Sequence, residues 1–459
     1  MVGLALGCGG DAAIQNVVLV SLDDVGAKHV SAYGYPRETT PHLDGVAGQG
    51  LLFESAYVPQ TWTLSSHLSM LTGLDPRAHG ATRSRGIPPS ATTLAELLWN
   101  HGFSTAAFTG GVAWMRPHYG HGRGFEIYEM GESDARADAP RAVRWLAQQA
   151  ALRAKDPAHR FFLFVHYFDA HSDAGTPVPY YLPEPGDFDP QLYLPKGRRW
   201  GRSGGTELLF ELVREGHEET DVEFVTAYYD AGVRYVDEYG VAPIVAALDQ
   251  LGLAEDTLLV ITSDHGEEIF EHGSVLHGYP YRETARVPLV LRGPGIPAGE
   301  RTPQLAASVD LVPTILALLG IPAPERVQGR DLGPALRGGA PVNDAVYVDG
   351  GEDSDTVYPS SIVADIEGRR WSYLVPIARS GEPGKLQPKA PGELYDLQAD
   401  PEQQEDLASQ QPELAATLQA RLLARLTAAE ELGRQLGPGR DEPLSEEDRK
   451  RLRELGYGD

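Results

Sequence analysis

The sequence predicts an α/β fold, a doubly wound and mostly parallel sheet flanked by helices, followed by a smaller C-terminal α+β subdomain. Three observations carry this expectation. Short apolar runs without polar alternation recur along the chain, as strands buried on both faces must read. Helical spacings lie between those runs. After about residue 325 the pattern changes to short strand candidates followed by two helices. A chain of 459 residues is long enough to bury such a core.

The elements follow in chain order. Residues 17–22 (VVLVSL) read as a buried strand ending in Asp23-Asp24. Residues 93–100 read as a helix stopped by Gly102, 104–108 as a strand, 141–154 as a helix and 161–166 (FFLFVH) as a third buried strand. Residues 223–250 read as a long helix kinked at Pro243 and stopped at Gly252. Two more strands are expected at 258–263 and 287–291, then a helix at 310–319 with Pro313 in its first turn. Residues 172–221 break the alternation. They are rich in Pro, Gly and acidic residues and carry one basic clump, with Lys196, Arg198, Arg199 and Arg202. This insertion reads as a lid over a substrate pocket or as a surface loop. Beyond it, strands at 345–348, 361–364 and 371–375 precede helices at about 412–430 and 445–455. The division is therefore 1–15 as a leader segment, 16–325 as the main domain and 326–459 as the C-terminal subdomain.

Charge narrows the function classes. Asp and Glu number 65 against 39 Lys and Arg, a net charge of −26, which argues against partners with a nucleic-acid backbone. The single cysteine, Cys8, excludes a disulfide framework within the chain and a cysteine zinc cluster. No run of 18 apolar residues suggests a transmembrane helix. The opening MVGLALGCGG resembles the end of a bacterial lipoprotein signal, with Cys8 as the lipid-anchor position. An extracytoplasmic, membrane-tethered location is expected on that reading, and a cytoplasmic one if Cys8 is incidental.

The chemistry concentrates at strand ends, where open α/β sheets bind ligands. The first strand delivers Asp23 and Asp24; the third His166, Asp169 and His171; the fourth Asp264 and His265, with His272 and His277 following. Carboxylates mixed with imidazoles suit a divalent cation. In TWTLSSHLSMLTG, residues 65–71 read as a short helix with Thr63 at its entrance. Thr63 and Ser65 fit either of two roles there: helix capping, or a metal-activated nucleophile beside an oxyanion-binding helix end.

Taken together, LVSLDDVGAKHVSAYGYPRETTPHLDGVAGQGLLFESAY, TLSSHLSMLTGLDPRAHG, FVHYFDAH, VITSDHGEEIFEHGSVLHG, ETARVPLVLRGPG and ELYDLQADPEQQEDLA resemble the sulfatase family of the alkaline phosphatase superfamily, in family order over nearly the full length. The resemblance implies that Asp23, Asp24, Thr63, Asp264 and His265 hold one divalent metal. It places Thr63 at the nucleophile and His171 and His277 against the ester oxygens. His67 falls at the family's signature arginine. His265 stands where many sulfatases have Asn and phosphoryl-transferring relatives have His, shifting the metal from Ca²⁺ toward Mn²⁺ or Zn²⁺. His166 and His272 are expected to play supporting parts, His79 and His101 to sit in turns, and Asp237 to be structural. A second metal would need Asp169, His171 and His277 to imitate a two-metal set.

The signature itself departs from the family. Typical sulfatases carry Cys or Ser at the nucleophile, which is oxidised to formylglycine; a threonine, being a secondary alcohol, cannot become that aldehyde. The expectation is therefore a metal-dependent hydrolase or group transferase of phosphate, phosphodiester or sulfate esters, acting through Thr63 on a small-molecule, glycan or lipid-linked anionic ester. The alternatives are a slow or promiscuous sulfuric ester hydrolase and a non-catalytic binding protein on the same scaffold. Oligomeric state is not legible.

Overall fold

Every residue of the first strand, β1 (Asn16–Leu22), is buried, because its side chains enter two different cores. Val17 and Leu19 pack into one hydrophobic cluster, and Val18, Val20 and Leu22 into another. The same split holds for β5 (Arg160–Tyr167) and β6 (Thr257–Ser263). Phe162, Phe164, Leu258 and Val260 join the first cluster; Phe161, Leu163, Leu259 and Ile261 join the second. This two-sided burial is why the strands read as continuous apolar runs.

The computed structural model describes residues 13–131, 133–171, 205–350, 352–353, 356–380 and 385–441. Among them the main sheet has nine strands, completed by β2 (Leu51–Tyr57), β3 (Phe103–Thr109), β4 (Ile127–Met130), β7 (Arg286–Val287), β8 (Leu289–Arg292) and β9 (Glu300–Ala307). Their order is β9-β2-β8-β6-β1-β5-β3-β4, with β7 on β2. The β1, β3, β4, β5 and β6 pairings are parallel, β9 runs parallel to β2, and β8 is antiparallel to both its neighbours. Ser21 of β1 pairs with His166 on one side and Thr262 on the other, and Leu22 with Tyr167 and Ser263. That register brings the carboxyl ends of β1, β5 and β6 to one edge.

The smaller sheet is antiparallel and holds β10 (Ala345–Val348), β11 (Pro359–Ile366), β12 (Arg369–Arg379), β13 (Leu386–Pro388) and β14 (Glu393–Asp396), with β13 and β14 both on β12. Its core is closed by the helix Pro412–Leu436, whose Leu418, Leu422 and Leu426 recur every four residues and pack with Ile362, Trp371 and Tyr373. Arg77 joins this layer to the main domain through ion pairs with Asp349 (2.8 Å) and Glu430 (3.0 Å).

Several elements differ from the sequence expectation. The helix expected at 141–154 begins at Ala135, because the Asp134 side chain accepts the Arg136 N–H and caps it. The long helix runs Glu219–Val236, passes through a π-helical turn at Asp237–Val241 and resumes at Ala242–Gln250. The interruption therefore precedes Pro243, which falls in the first turn of the last segment. The end of the 172–221 insertion is helical, at Gly205–Glu215, with Leu209 and Leu212 buried. The rest of that insertion, with its basic clump, and the segments holding Cys8 and the helix expected at 445–455 lie outside the described residues. Among the described residues, no helix is long and apolar enough to cross a membrane.

Candidate active site

The chain leaves β1 through Asp23 and Asp24, and Asp24 adopts a left-handed backbone with φ 62°. This conformation is uncommon outside glycine and is held by surrounding bonds. The Asp24 N–H donates to Asp264 Oδ1 (3.1 Å), and its carbonyl accepts from the Tyr229 hydroxyl (2.6 Å), which in turn accepts the Gly26 N–H (3.1 Å). The turns after β1 and β6 pack backbone against backbone. A Cβ on Gly266 would lie 2.2 Å from the Glu283 carbonyl oxygen and 2.6 Å from the Gly26 Cα, so that position demands glycine.

Thr63 is the first residue of the helix Thr63–Thr72. Its hydroxyl does not cap the helix; it lies 3.2 Å from His265 Nε2. His265 Nδ1 faces two acceptors, Asp24 Oδ1 (3.0 Å) and the Gly266 carbonyl (3.3 Å). Nδ1 therefore carries the proton, and Nε2 presents its lone pair inward. Around that nitrogen stand Thr63 Oγ1, Asp264 Oδ2 at 3.4 Å and Asp23 Oδ1 at 3.9 Å. Asp23, Asp264 and His265 are all fully buried, with one ligand atom from each within 4.8 Å of the others.

This arrangement fits a divalent cation. Asp264 Oδ2 is buried without a hydrogen bond, a costly state for a carboxylate oxygen unless a positive charge meets it. Burial would push the Asp264 carboxyl up, yet His265, His67 and His166 hold it below its ordinary range. Asp24 goes the other way. Burial, with Asp23 and Asp264 adding to it, pushes its carboxyl up to about 7 against the opposing effects of Glu267 and His171. The donor set, carboxylate oxygens with one imidazole and a hydroxyl, suits Mn²⁺ or Zn²⁺ as well as Ca²⁺.

The remaining predicted residues surround this centre. The His277 ring lies 4.1 Å from that of His265 and 5.4 Å from that of His171, and its Nδ1 donates to the Thr61 carbonyl (2.9 Å). With Nδ1 carrying the proton, Nε2 is the lone-pair nitrogen of His277, and burial lowers its pKa well below the usual value. His171 Nδ1 is 3.9 Å from Asp24 Oδ2. His67 lies beneath the cluster, with Nε2 2.9 Å from Ser21 Oγ and Nδ1 2.8 Å from the Thr63 carbonyl. Burial lowers it to about 3, so a neutral ring stands where the family signature has a cation.

Two groups come closer to the centre than sequence reasoning placed them. Glu267 gathers with Asp24 and His171, and His166 gathers with His67 and Asp264 while its Nε2 reaches Asp23 Oδ2 at 3.0 Å. For Glu267 the available signal was its position three residues past Asp264. Asp237 accepts the N–H groups of His42 (2.8 Å) and Leu43 (2.9 Å), a structural role as expected. Beside Thr63, Trp62, Ser65 and His277 line a cavity of about 720 Å³.

A doubly wound sheet with acids and imidazoles at its strand ends, facing a helix that begins in a hydroxyl, is the architecture of ester hydrolases of the alkaline phosphatase superfamily. Within it, the Sulfatase family model matches residues 15–321, and the chain belongs to the sulfatase family. Arylsulfatase K of Rattus norvegicus is 24% identical over 90% of this chain and 78% of its own length. The delta 4,5-hexuronate-2-O-sulfatase of Bacteroides thetaiotaomicron is 26% identical over 88% and 87%. The solved phosphonate monoester hydrolase of Agrobacterium radiobacter superposes with a TM-score of 0.66 at 21% identity, covering 91% of this chain and 96% of that one. The protein is a hydrolase acting on ester bonds.

Proposed function

We propose that this hydrolase is metal-dependent, acts on anionic phosphate, phosphodiester or sulfate esters with phosphorus esters preferred, and uses Thr63 as its nucleophile without formylglycine. The observation that carries the reading is the position of Thr63 Oγ1. It shares the surroundings of His265 Nε2 with the inward oxygens of Asp23 and Asp264. Asp23, Asp24, Asp264, His265 and Thr63 are the residues that would hold the ion. A bound divalent cation supplies Lewis-acid polarisation and makes an alcohol acidic near neutral pH.

The chain's own residues do the rest. Thr63 Oγ1 gives up its hydroxyl proton to solvent and attacks the phosphorus or sulfur in line, forming a Thr63 ester and breaking the bond to the leaving oxygen, which takes a proton from solvent as it departs. The helix that starts at Thr63 offers first-turn N–H groups suited to meet the ester oxygens. His277, through Nε2, accepts a proton from the water that then cleaves the Thr63 ester, and passes it to the departing Thr63 Oγ1, restoring the hydroxyl. His171 positions the ester oxygens opposite. Names such as arylsulfatase, hexuronate sulfatase and phosphonate monoester hydrolase among the similar proteins support an anionic ester of an aryl or sugar alcohol.

The test is a panel of 4-nitrophenyl sulfate, 4-nitrophenyl phosphate, bis(4-nitrophenyl) phosphate and a 4-nitrophenyl phosphonate, each with Mn²⁺, Zn²⁺ or Ca²⁺. Turnover of a phosphorus ester that disappears in Thr63→Ala with metal content retained supports the reading. Undiminished turnover in Thr63→Ala refutes it, and absence of both turnover and bound metal favours a binding protein on this scaffold.

A further inference from the structure

The turn that carries His277 is strained, and the groups that hold it lie away from the cavity. It belongs to a hairpin in which Glu268–Ile269 pairs antiparallel with Val275–Leu276. Phe270 follows the first strand and Leu276 ends the second, and both adopt left-handed backbone, with φ 66° and 67°. Bulky residues enter that region only where the surroundings over-determine it. Leu276 directly precedes His277, so whatever fixes this backbone also aims the imidazole. On the other side Gly278 is pressed against Tyr358, where a Cβ would lie 2.8 Å from the Tyr358 ring.

Two buried acids grip the loop of the hairpin through His272. Glu268 Oε1 accepts the N–H groups of His272 (3.1 Å) and Ser274 (3.0 Å). Glu283 Oε1 meets His272 Nε2 at 3.0 Å. Burial works against a charge on His272, but Glu283, Glu268 and Glu271 together hold its pKa above the usual value. The His272 ring stacks on Tyr281, with centroids 3.6 Å apart and planes 9° from parallel. The Tyr281 hydroxyl donates to Glu393 Oε2 (2.8 Å) on β14, which also accepts from Tyr395 (2.9 Å). At the outer edge Lys28 joins Glu271 (3.1 Å) to Glu402 (2.7 Å); more solvated pairs of this kind contribute less.

The anchor of this clamp is the backbone beside His265. The Gly266 N–H donates to the Thr284 carbonyl (2.7 Å), and Gly266 packs against the Glu283 carbonyl. His272 therefore ties the hairpin to the helix Arg282–Ala285 and, through Tyr281, to the C-terminal sheet. Neither His272 nor Glu283 lines the cavity, so their effect on turnover passes through the ring they place.

We propose that His272, held by Glu283 and Tyr281, is a positioning residue that fixes the orientation of His277 at the cavity beside Thr63. This rests on the reading above, in that His277 is given a part in turnover.

Kinetics and hydrogen exchange with Mn²⁺ added test this together. His272→Ala, and Glu283→Gln, which keeps the shape of the side chain, should each lower kcat about tenfold or more on the best ester of the aryl panel, with KM within about twofold. Added to His277→Ala, neither should lower kcat further, because the ring they place is gone. Amide exchange read by mass spectrometry should quicken about tenfold across residues 268–278 and stay unchanged in β1 and β6. A kcat within about twofold of wild type, a full further loss on top of His277→Ala, or unchanged exchange at 268–278 would each overturn the inference. Full turnover in His277→Ala would refute the part given to His277, and the exchange result would then still decide whether His272 holds its turn.

Discussion

Thr63 Oγ1 and His265 Nε2 lie 3.2 Å apart although 202 residues separate them in the chain. One stands at the start of a helix and the other just past the end of β6, and the pairing of β1 with β6 sets that edge of the sheet. The inward lone pair of His265 is fixed by acceptors on its other nitrogen, so the ring would meet a cation already oriented.

Replacing His265 should therefore act on metal binding first. His265→Asn removes the imidazole and leaves the carboxylates of Asp23 and Asp264. Affinity for Zn²⁺ and Mn²⁺ should fall at least tenfold, with Ca²⁺ less affected. Competition dialysis followed by elemental analysis measures this, and equal losses for all three ions would contradict it.

Tyr229 is expected to act through the Asp24 turn. Tyr229→Phe removes the hydroxyl that holds the Asp24 carbonyl and the Gly26 N–H. Leaving these buried groups without that partner costs about 1–3 kcal/mol, and the left-handed Asp24 loses a brace. Turnover should drop several-fold with unchanged far-UV circular dichroism. Full activity would show that the turn is held by Asp264 alone.

Asp237 should matter for stability alone. Its carboxylate accepts two N–H groups at the start of the helix Pro41–Ala47. Asp237→Ala should cost about 2–4 kcal/mol in urea unfolding, with activity per folded molecule retained. A change below about 0.5 kcal/mol would contradict this role.

Asp310 gives a pH dependence with a definite sign. Burial pushes its carboxyl from 3.8 up to about 6, against the pull of bonds from Arg330, Ala307 and Asn343. The folded state therefore holds this proton where the unfolded state has released it. Stability falls as pH rises from about 4 to about 6 and is flat above that window, by on the order of 3 kcal/mol for this group. The difference in unfolding free energy between wild type and Asp310→Asn should shift by that order across the window. A difference independent of pH would refute it.

Much of this was legible in the sequence, for physical reasons. Strands buried on both faces leave unbroken apolar runs, so β1, β5 and β6 could be located, and the acids at their ends followed. The start of the helix at Ala135 was not legible, because its first turn is polar and only Asp134 marks it. The helix Gly205–Glu215 was hidden inside a Gly- and Pro-rich stretch whose composition suggests a loop. Glu267 was hidden because acids are ordinary in turns; only the fold brings it beside Asp24 and His171. The reading of Thr63 as a nucleophile rested on the family pattern, since a threonine at a helix start reads equally well as a cap. In the fold its hydroxyl turns to His265 instead.

The central claim is that a covalent bond to Thr63 forms and breaks during turnover. Rapid acid quench of the metal-loaded protein during turnover of 4-nitrophenyl phosphate, followed by peptide mass spectrometry, tests it directly. The account predicts one phosphoryl group on the peptide containing Thr63, absent from Thr63→Ala. Steady turnover with that peptide unmodified at every quench time, or a phosphoryl group on another residue, would contradict it.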